Sequence, residues 1–167
     1  TTGVELPNES AGILHPSEDW DGRTKYAVLF GQGASVTALQ ATAVFATIAN
    51  GGVRVAPHLV EGWTEADGTY TAADPAEQTQ VISAETSRTV LSMMESAVDG
   101  GTGSTAQVPG YRVAGKTGTA QNWMSDGSQG ITASFVGVAP VDDPQIAMSV
   151  VLHNPSTSVW GGAVAAP

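Results

Sequence analysis

From Ala38 to Ala49 nearly every position is Ala, Val, Leu, Phe or Ile, with no polar stripe. A helix that is apolar on all sides has to be buried on all sides. Thr37 and Gln40 have the spacing of a capping box, so the helix is expected to start at Thr37, and Asn50-Gly51-Gly52 stops it. Ala84 to Asp99 shows a different pattern, with Val90, Leu91, Met94 and Val98 forming one apolar stripe. Ser83 is the expected N-cap there, Glu85 sits favourably near the positive end of the dipole, and Gly100-Gly101 ends the helix.

Beyond that helix the period shortens. Tyr111 to Gln121, Thr132 to Val138 and Gln145 to His153 are strand-like, with Val141-Asp142-Asp143-Pro144 as a tight turn that makes the last two an antiparallel hairpin. Ile146 to Leu152 is apolar at odd and even positions alike, the pattern of a central strand covered on both faces. Residues 1 to 34 read mostly as loop, with extended fragments at Thr2 to Leu6 and Tyr26 to Phe30. Val53 to Val60 is an extended run whose Pro57 points to an edge or a connection, and residues 61 to 80 are a long polar excursion. Helix, helix, then three strands predicts an α+β fold, an antiparallel sheet packed with helices.

Composition adds limits. A chain of 167 residues fits one domain, and folding at this size buries roughly two-thirds of the unfolded surface, enough for a sizeable core. With 41% hydrophobic and 13% charged residues the chain is of the folding kind. A net charge of -10 repels phosphate backbones, which argues against a nucleic-acid partner. Glu61, Glu65, Asp67, Asp74 and Glu77 read as a solvated loop. The absence of cysteine excludes disulfides and a thiolate nucleophile. His15, His58 and His153 have no metal-ligand spacing, so neither a metal nor a cofactor is expected.

The chemistry gathers in Tyr111-Arg-Val-Ala-Gly-Lys-Thr-Gly-Thr-Ala-Gln121, where a strand pattern carries a lone cation, two hydroxyls and two glycines. In a strand Lys116 and Gly118 point one way, Thr117 and Thr119 the other, and Gly118 leaves the backbone open to close approach. An extended peptide can add to such an edge through main-chain hydrogen bonds. Lys116 and the two threonine hydroxyls could then capture a terminal carboxylate, and a backbone N–H could face an oxygen that turns negative in a tetrahedral intermediate. On the tripeptide alone, a surface lysine beside a bulge explains these residues better. The surrounding sequence reverses that judgement.

Several spaced motifs stand in order: Thr2-Gly-Val-Glu-Leu-Pro7 with Ser10-Ala-Gly12, Gly31-Gln-Gly33, Val36-Thr37, Leu39-Gln40, Ala49-Asn-Gly-Gly52, Ala114-Gly-Lys-Thr-Gly-Thr-Ala-Gln121 and Gly161-Gly162. Across nearly its whole length the chain resembles the C-terminal part of the transpeptidase domain of class B penicillin-binding proteins. The resemblance implies a peptidoglycan D,D-transpeptidase, in which a serine of a Ser-x-x-Lys motif attacks the D-Ala-D-Ala end of a muropeptide and an amine resolves the acyl-enzyme. It assigns Lys116 to the electrostatics of the site, Thr117 and Thr119 to the carboxylate of substrate or β-lactam, and the Thr119 N–H to the oxyanion hole, with Gln121 lining the cleft beside Gly118. Implied partners are stem peptides, β-lactams, the upstream half of the same domain, and cell-division or elongation proteins. The implied location is the extracytoplasmic face of the bacterial membrane.

The other family motifs are absent. No serine stands three residues before Lys25 or Lys116, the only lysines, and no Ser-x-Asn triplet occurs; Ser125-Asp126-Gly127 reads as a loop. The expectation is therefore that residues 1–167 are a portion of a single transpeptidase domain cut at both ends, a partial fold lacking the Ser-x-x-Lys half and inactive alone. Two other readings stay open: a D,D-carboxypeptidase or serine β-lactamase relative, and a non-catalytic sensor or interaction domain. Gly31 and Gly33 read as structural, and among the tryptophans Trp123 and Trp160 lie nearest the chemistry.

Overall fold

Reciprocal hydrogen bonds at the helix starts decide where the long helices begin. In the computed structural model, which describes residues 1–167, the Thr37 hydroxyl accepts from the Gln40 amide at 3.1 Å and the Gln40 side chain accepts from the Thr37 amide at 2.9 Å. Such a cap is worth about 1 kcal/mol. The Ser83 hydroxyl likewise accepts from the Thr86 amide at 3.1 Å.

Along the chain run β1 (Ile13–Leu14), α1 (Thr24–Ala27), β2 (Ala34–Ser35), α2 (Ala38–Ala49), β3 (Val53–Val55), β4 (Gly62–Thr64), β5 (Tyr70–Ala72) and β6 (Gln78–Gln80). They are followed by α3 (Ala84–Asp99), β7 (Ala114–Trp123), β8 (Gln129–Ala139), β9 (Ile146–His153) and α4 (Gly161–Val164). The last three strands form one antiparallel sheet in the order β7-β8-β9. Its register aligns Lys116 with Val136 and Ser149, and Thr117 with Phe135 and Val150.

Alternation divides this sheet into two faces. On one, Ala114 and Val138 pack with Met94 of α3, Phe45 and Ile48 of α2, and Ala147. The Thr42 hydroxyl of α2 bonds Ser149 across this layer at 2.8 Å, and Ser87 of α3 donates to the Ile48 carbonyl. On the other face Phe135 packs with Val98, Ala106, Ala165 and Ala166. The sheet is thus sandwiched between α2 with α3 and the short α4, an α+β arrangement as the pattern predicts. Burying a side chain such as Met94 in such a layer contributes about 1.5–3 kcal/mol.

Several sequence expectations need correction. Only 19 residues are buried, so the core is small, and large apolar side chains such as Leu29 and Phe30 stand exposed. Helix α2 buries only Thr47, and Val44 is 57% exposed, although its composition is apolar all round. The strand over Ile146–His153 lies at a sheet edge rather than in its centre; β8 is the central strand. Its double-sided apolar pattern reports the layers on its two faces, not the number of its neighbours.

Tyr26 to Phe30 is not extended: it coils into α1 and a 3-10 turn, because the Asp21 carboxylate accepts from the Arg23 and Thr24 amides at 3.0 and 2.6 Å and starts a helix. The excursion over 61 to 80 holds the β4–β5 hairpin and β6, which pairs with β3. Its acidic residues are nonetheless solvent-exposed. Asp67-Gly68 between Trp63-Thr64 and Tyr70-Thr71 is the hairpin signal that the polar composition hid.

Candidate functional site

Strand β7 pairs with β8 on one side only, and from Lys116 to Gln121 no residue is buried. The edge is open where the sequence concentrates its chemistry. Just upstream, β7 is anchored firmly. The Arg112 guanidinium forks onto Glu95 of α3 at 2.6 and 2.7 Å and also reaches Asp142 in the β8–β9 turn. Those hydrogen bonds hold the Glu95 carboxyl below the ordinary glutamate value and push Arg112 above its own. Ala114 and Gly115 follow, both buried, and a Cβ on Gly115 would lie 2.4 Å from the Phe135 ring.

Lys116 emerges from that anchored base with an exposed side chain whose Nζ donates to the Thr117 carbonyl at 2.8 Å. Thr117 and Thr119 project from the opposite face, toward α4. The Thr117 hydroxyl lies 2.9 Å from that of Thr102, and the Thr119 hydroxyl accepts from the Gly161 amide at 3.2 Å. Thr119 therefore keeps its own O–H proton free to donate. Gln121 is exposed near the far end of β7, opposite Ile131.

Neighbours come within 2.4 Å of a Cβ position at two further glycines, a side-chain hydroxyl at one and backbone carbonyls at the other. A Cβ on Gly118 would sit 2.4 Å from the Ser134 hydroxyl, and one on Gly161 would sit 2.4 Å from both the Gly118 and Ser134 carbonyl oxygens. The N-terminus of α4 thus lies directly on the β7–β8 ladder. The Thr105 hydroxyl reinforces this contact by donating to the Gly162 carbonyl at 2.6 Å. Sequence reading missed Thr102 and Thr105. The run Gly100-Gly101-Thr102-Gly103 registered only as a helix stop, although a hydroxyl among glycines is also a hydroxyl on a closely packed loop.

Other candidates lie outside this group. His153 accepts or donates at 3.0 Å with Thr132, which in turn accepts from Asn122 at 2.7 Å, while His15 and His58 are exposed elsewhere. Trp123 and Trp160 are 75% and 66% exposed, at the end of β7 and the start of α4. Ser125-Asp126-Gly127 forms the β7–β8 turn, where the Asp126 carboxylate accepts from Ser128. Two grooves, of about 330 and 410 Å³, run along α2 and not along β7. The Lys116 edge is an open surface rather than a part of either groove.

Comparison with known proteins accounts for the arrangement. The family model described as penicillin binding protein transpeptidase domain matches residues 1–167. The chain is 41% identical to the penicillin-binding protein PbpB of Mycolicibacterium smegmatis over 99% of its own length and 28% of the relative's. It is 36% identical to the peptidoglycan D,D-transpeptidase FtsI of Escherichia coli, over 99% of this chain and 27% of that one. The chain therefore spans little more than a quarter of these relatives. Penicillin-binding protein 3 of Mycobacterium tuberculosis, in a crystal structure complexed with ampicillin, superposes with a TM-score of 0.87 at 40% identity, covering 96% of this chain and 38% of that one. Motif order, sheet architecture and full-length family match agree: the chain belongs to the penicillin-binding protein transpeptidase domain family.

Proposed function

We propose that this chain supplies the substrate-binding and oxyanion strand of a peptidoglycan D,D-transpeptidase, at the extracytoplasmic face of a bacterial membrane. The observation that carries the reading is the edge of β7 that no strand pairs, where Lys116, Thr117, Gly118 and Thr119 stand together and none is buried. A stem peptide ending in D-Ala-D-Ala, or a β-lactam mimicking it, adds to that edge as an extra strand. Lys116 supplies positive charge and the Thr117 and Thr119 hydroxyls donate to the terminal carboxylate. Gln121 lines the cleft further along the strand.

Ladder geometry supports the oxyanion role of Thr119. The Thr117 carbonyl accepts from the Lys116 side chain, and in an antiparallel ladder residues i and i+2 turn their main-chain groups to the same side. The Thr119 N–H accordingly faces the edge where the Thr117 carbonyl is approached. A donor so placed stabilises the developing oxyanion by about 2.7–4 kcal/mol.

A serine attacks the carbonyl between the two D-alanines, the tetrahedral intermediate collapses with loss of the terminal D-Ala, and an amine from a second stem peptide resolves the ester. The sequence holds no Ser-x-x-Lys, so the reading assigns that nucleophile to a part of the parent domain outside residues 1–167. Cell-division or elongation proteins are the partners such a parent would serve. Labelling with a fluorescent penicillin tests the whole scheme. A covalent adduct is expected on the parent protein, at a serine outside these residues, and none on this chain alone. A stable adduct on the isolated chain overturns the assignment of roles.

A further inference from the structure

The hydroxyl of Thr117 serves a carboxylate better when a second donor fixes its orientation. It has one proton and two acceptor sites. If that proton goes to a ligand, an adjacent donor both fixes the oxygen in place and polarises the O–H bond, since hydrogen bonds in a chain strengthen one another. The structure provides such a donor in Thr102, whose Oγ1 lies 2.9 Å from the Thr117 Oγ1.

The setting of Thr102 separates this role from packing. Its loop is held by backbone. A Cβ at Gly101 would meet the Ala97 carbonyl at 2.8 Å, Gly103 is buried against Val98 and Phe135, and the Thr102 carbonyl lies 2.4 Å from where Gly162 would carry a Cβ. The Gly103 amide also donates to the Ala97 carbonyl at 2.9 Å. The Thr102 side chain is exposed, and its hydroxyl is directed at Thr117. Backbone contacts between the end of α3 and the start of α4 thus fix a hydroxyl whose contact is the next hydroxyl in line.

We propose that Thr102 is a positioning residue for carboxylate recognition. It donates to the Thr117 hydroxyl, so that Thr117 presents its proton to the anionic end of a stem peptide or penicillin. In the ligand-free pair either oxygen can be the donor; an anion at the edge selects the order Thr102 to Thr117 to carboxylate. The inference rests on the functional reading above and names a residue that reading does not use.

The test is the kinetics of acylation of the parent protein by a fluorescent penicillin, comparing wild type with Thr102→Val, Thr102→Ser, Thr117→Val and the double variant Thr102→Val with Thr117→Val. Valine keeps the shape and removes the hydroxyl. Expected is a rise of about 5-fold in the penicillin concentration giving half-maximal acylation rate for Thr102→Val, the size of one lost hydrogen bond. The limiting rate and the thermal midpoint should stay near wild type. Thr102→Ser should restore most of the binding, and Thr102→Val should add nothing to Thr117→Val. Wild-type binding in Thr102→Val beside impaired Thr117→Val overturns the inference and leaves the role of Thr117 intact. So does a Thr102→Val defect that serine fails to rescue and that comes with a lowered thermal midpoint. No labelling of the wild-type parent overturns the functional reading and this inference together.

Discussion

The outer strands of the β7–β8–β9 sheet share one backbone situation and opposite side-chain chemistry. Each pairs with β8 alone and leaves a row of main-chain groups without a strand partner. The edge of β7 carries Lys116, Thr117, Thr119 and Gln121, whereas β9 carries Ile146 and Met148, 62% and 58% exposed. An unpaired edge is a template for another strand, and a charge on it discourages indiscriminate pairing. The contrast teaches that an open ladder alone specifies nothing. On the proposed reading, selectivity for an anionic peptide end comes from the charge and hydroxyls of β7, whereas the exposed Ile146 and Met148 of β9 are apolar.

The sharpest way to break this comparison is to remove the charge. Lys116→Ala in the parent protein should slow acylation by penicillin about 10- to 100-fold, the range for a hydrogen bond to a charged group. Ile146→Thr on the opposite edge should leave acylation within about 2-fold of wild type. Equal losses from the two substitutions would mean that the β7 edge has no special standing.

The support beneath the edge ranks next. Gly161→Ala places a methyl group 2.4 Å from the carbonyl oxygens of Gly118 and Ser134. Backbone on both sides leaves no side chain to swing away, so α4 must lift from the ladder. Overpacking of this kind costs about 2–3 kcal/mol, a fall of roughly 5–10 °C in thermal midpoint for a protein of this size. Calorimetry on this chain measures it, and an unchanged midpoint would show that α4 does not bear on the sheet. Neither Ile146 nor Met148 on β9 has an equivalent, since both side chains are exposed.

These two edges were unequally legible in the sequence. For β7 the signal was local: a cation, hydroxyls and glycines in a strand pattern, within a series of ordered motifs. The capped helices were legible for the same reason, since Thr37 with Gln40 and Ser83 with Thr86 make their decisive hydrogen bonds within one turn. Misplacing β9 at the centre came from reading face coverage as neighbour count, which alternation cannot supply. Tyr26 to Phe30 was too short for its period to separate helix from strand. Thr102 was invisible because its partner Thr117 is brought to it only by the folding of α3 against β7.

A smaller effect sharpens the β9 side. Met148→Lys places a charge on the apolar edge and should lower light scattering of concentrated solutions of this chain, while shifting folding stability by less than about 0.5 kcal/mol. Scattering that stays unchanged would mean that the exposed Ile146 and Met148 edge does not drive association.

The smallest effect concerns how the base of β7 is tied down, through Arg112 to Glu95 and Asp142. Hydrogen bonds from Arg112 lower the Glu95 pKa from its ordinary 4.5, with the Coulombic attraction of the same guanidinium adding to them. A carboxylate depressed in the folded state contributes stability above its unfolded value of 4.5, and that contribution fades as pH falls through the lower folded value. Arg112→Met should therefore be slightly less stable than wild type at pH 7, and the gap should close as pH drops below 4.5. Urea midpoints of both proteins at neutral and acid pH provide the measurement. The clasp stands at the surface, where water and salt weaken ion pairs, so added salt should also narrow the neutral-pH gap. A gap that survives acid and salt alike would mean that Arg112 holds β7 through the packing of its stem rather than through its charge.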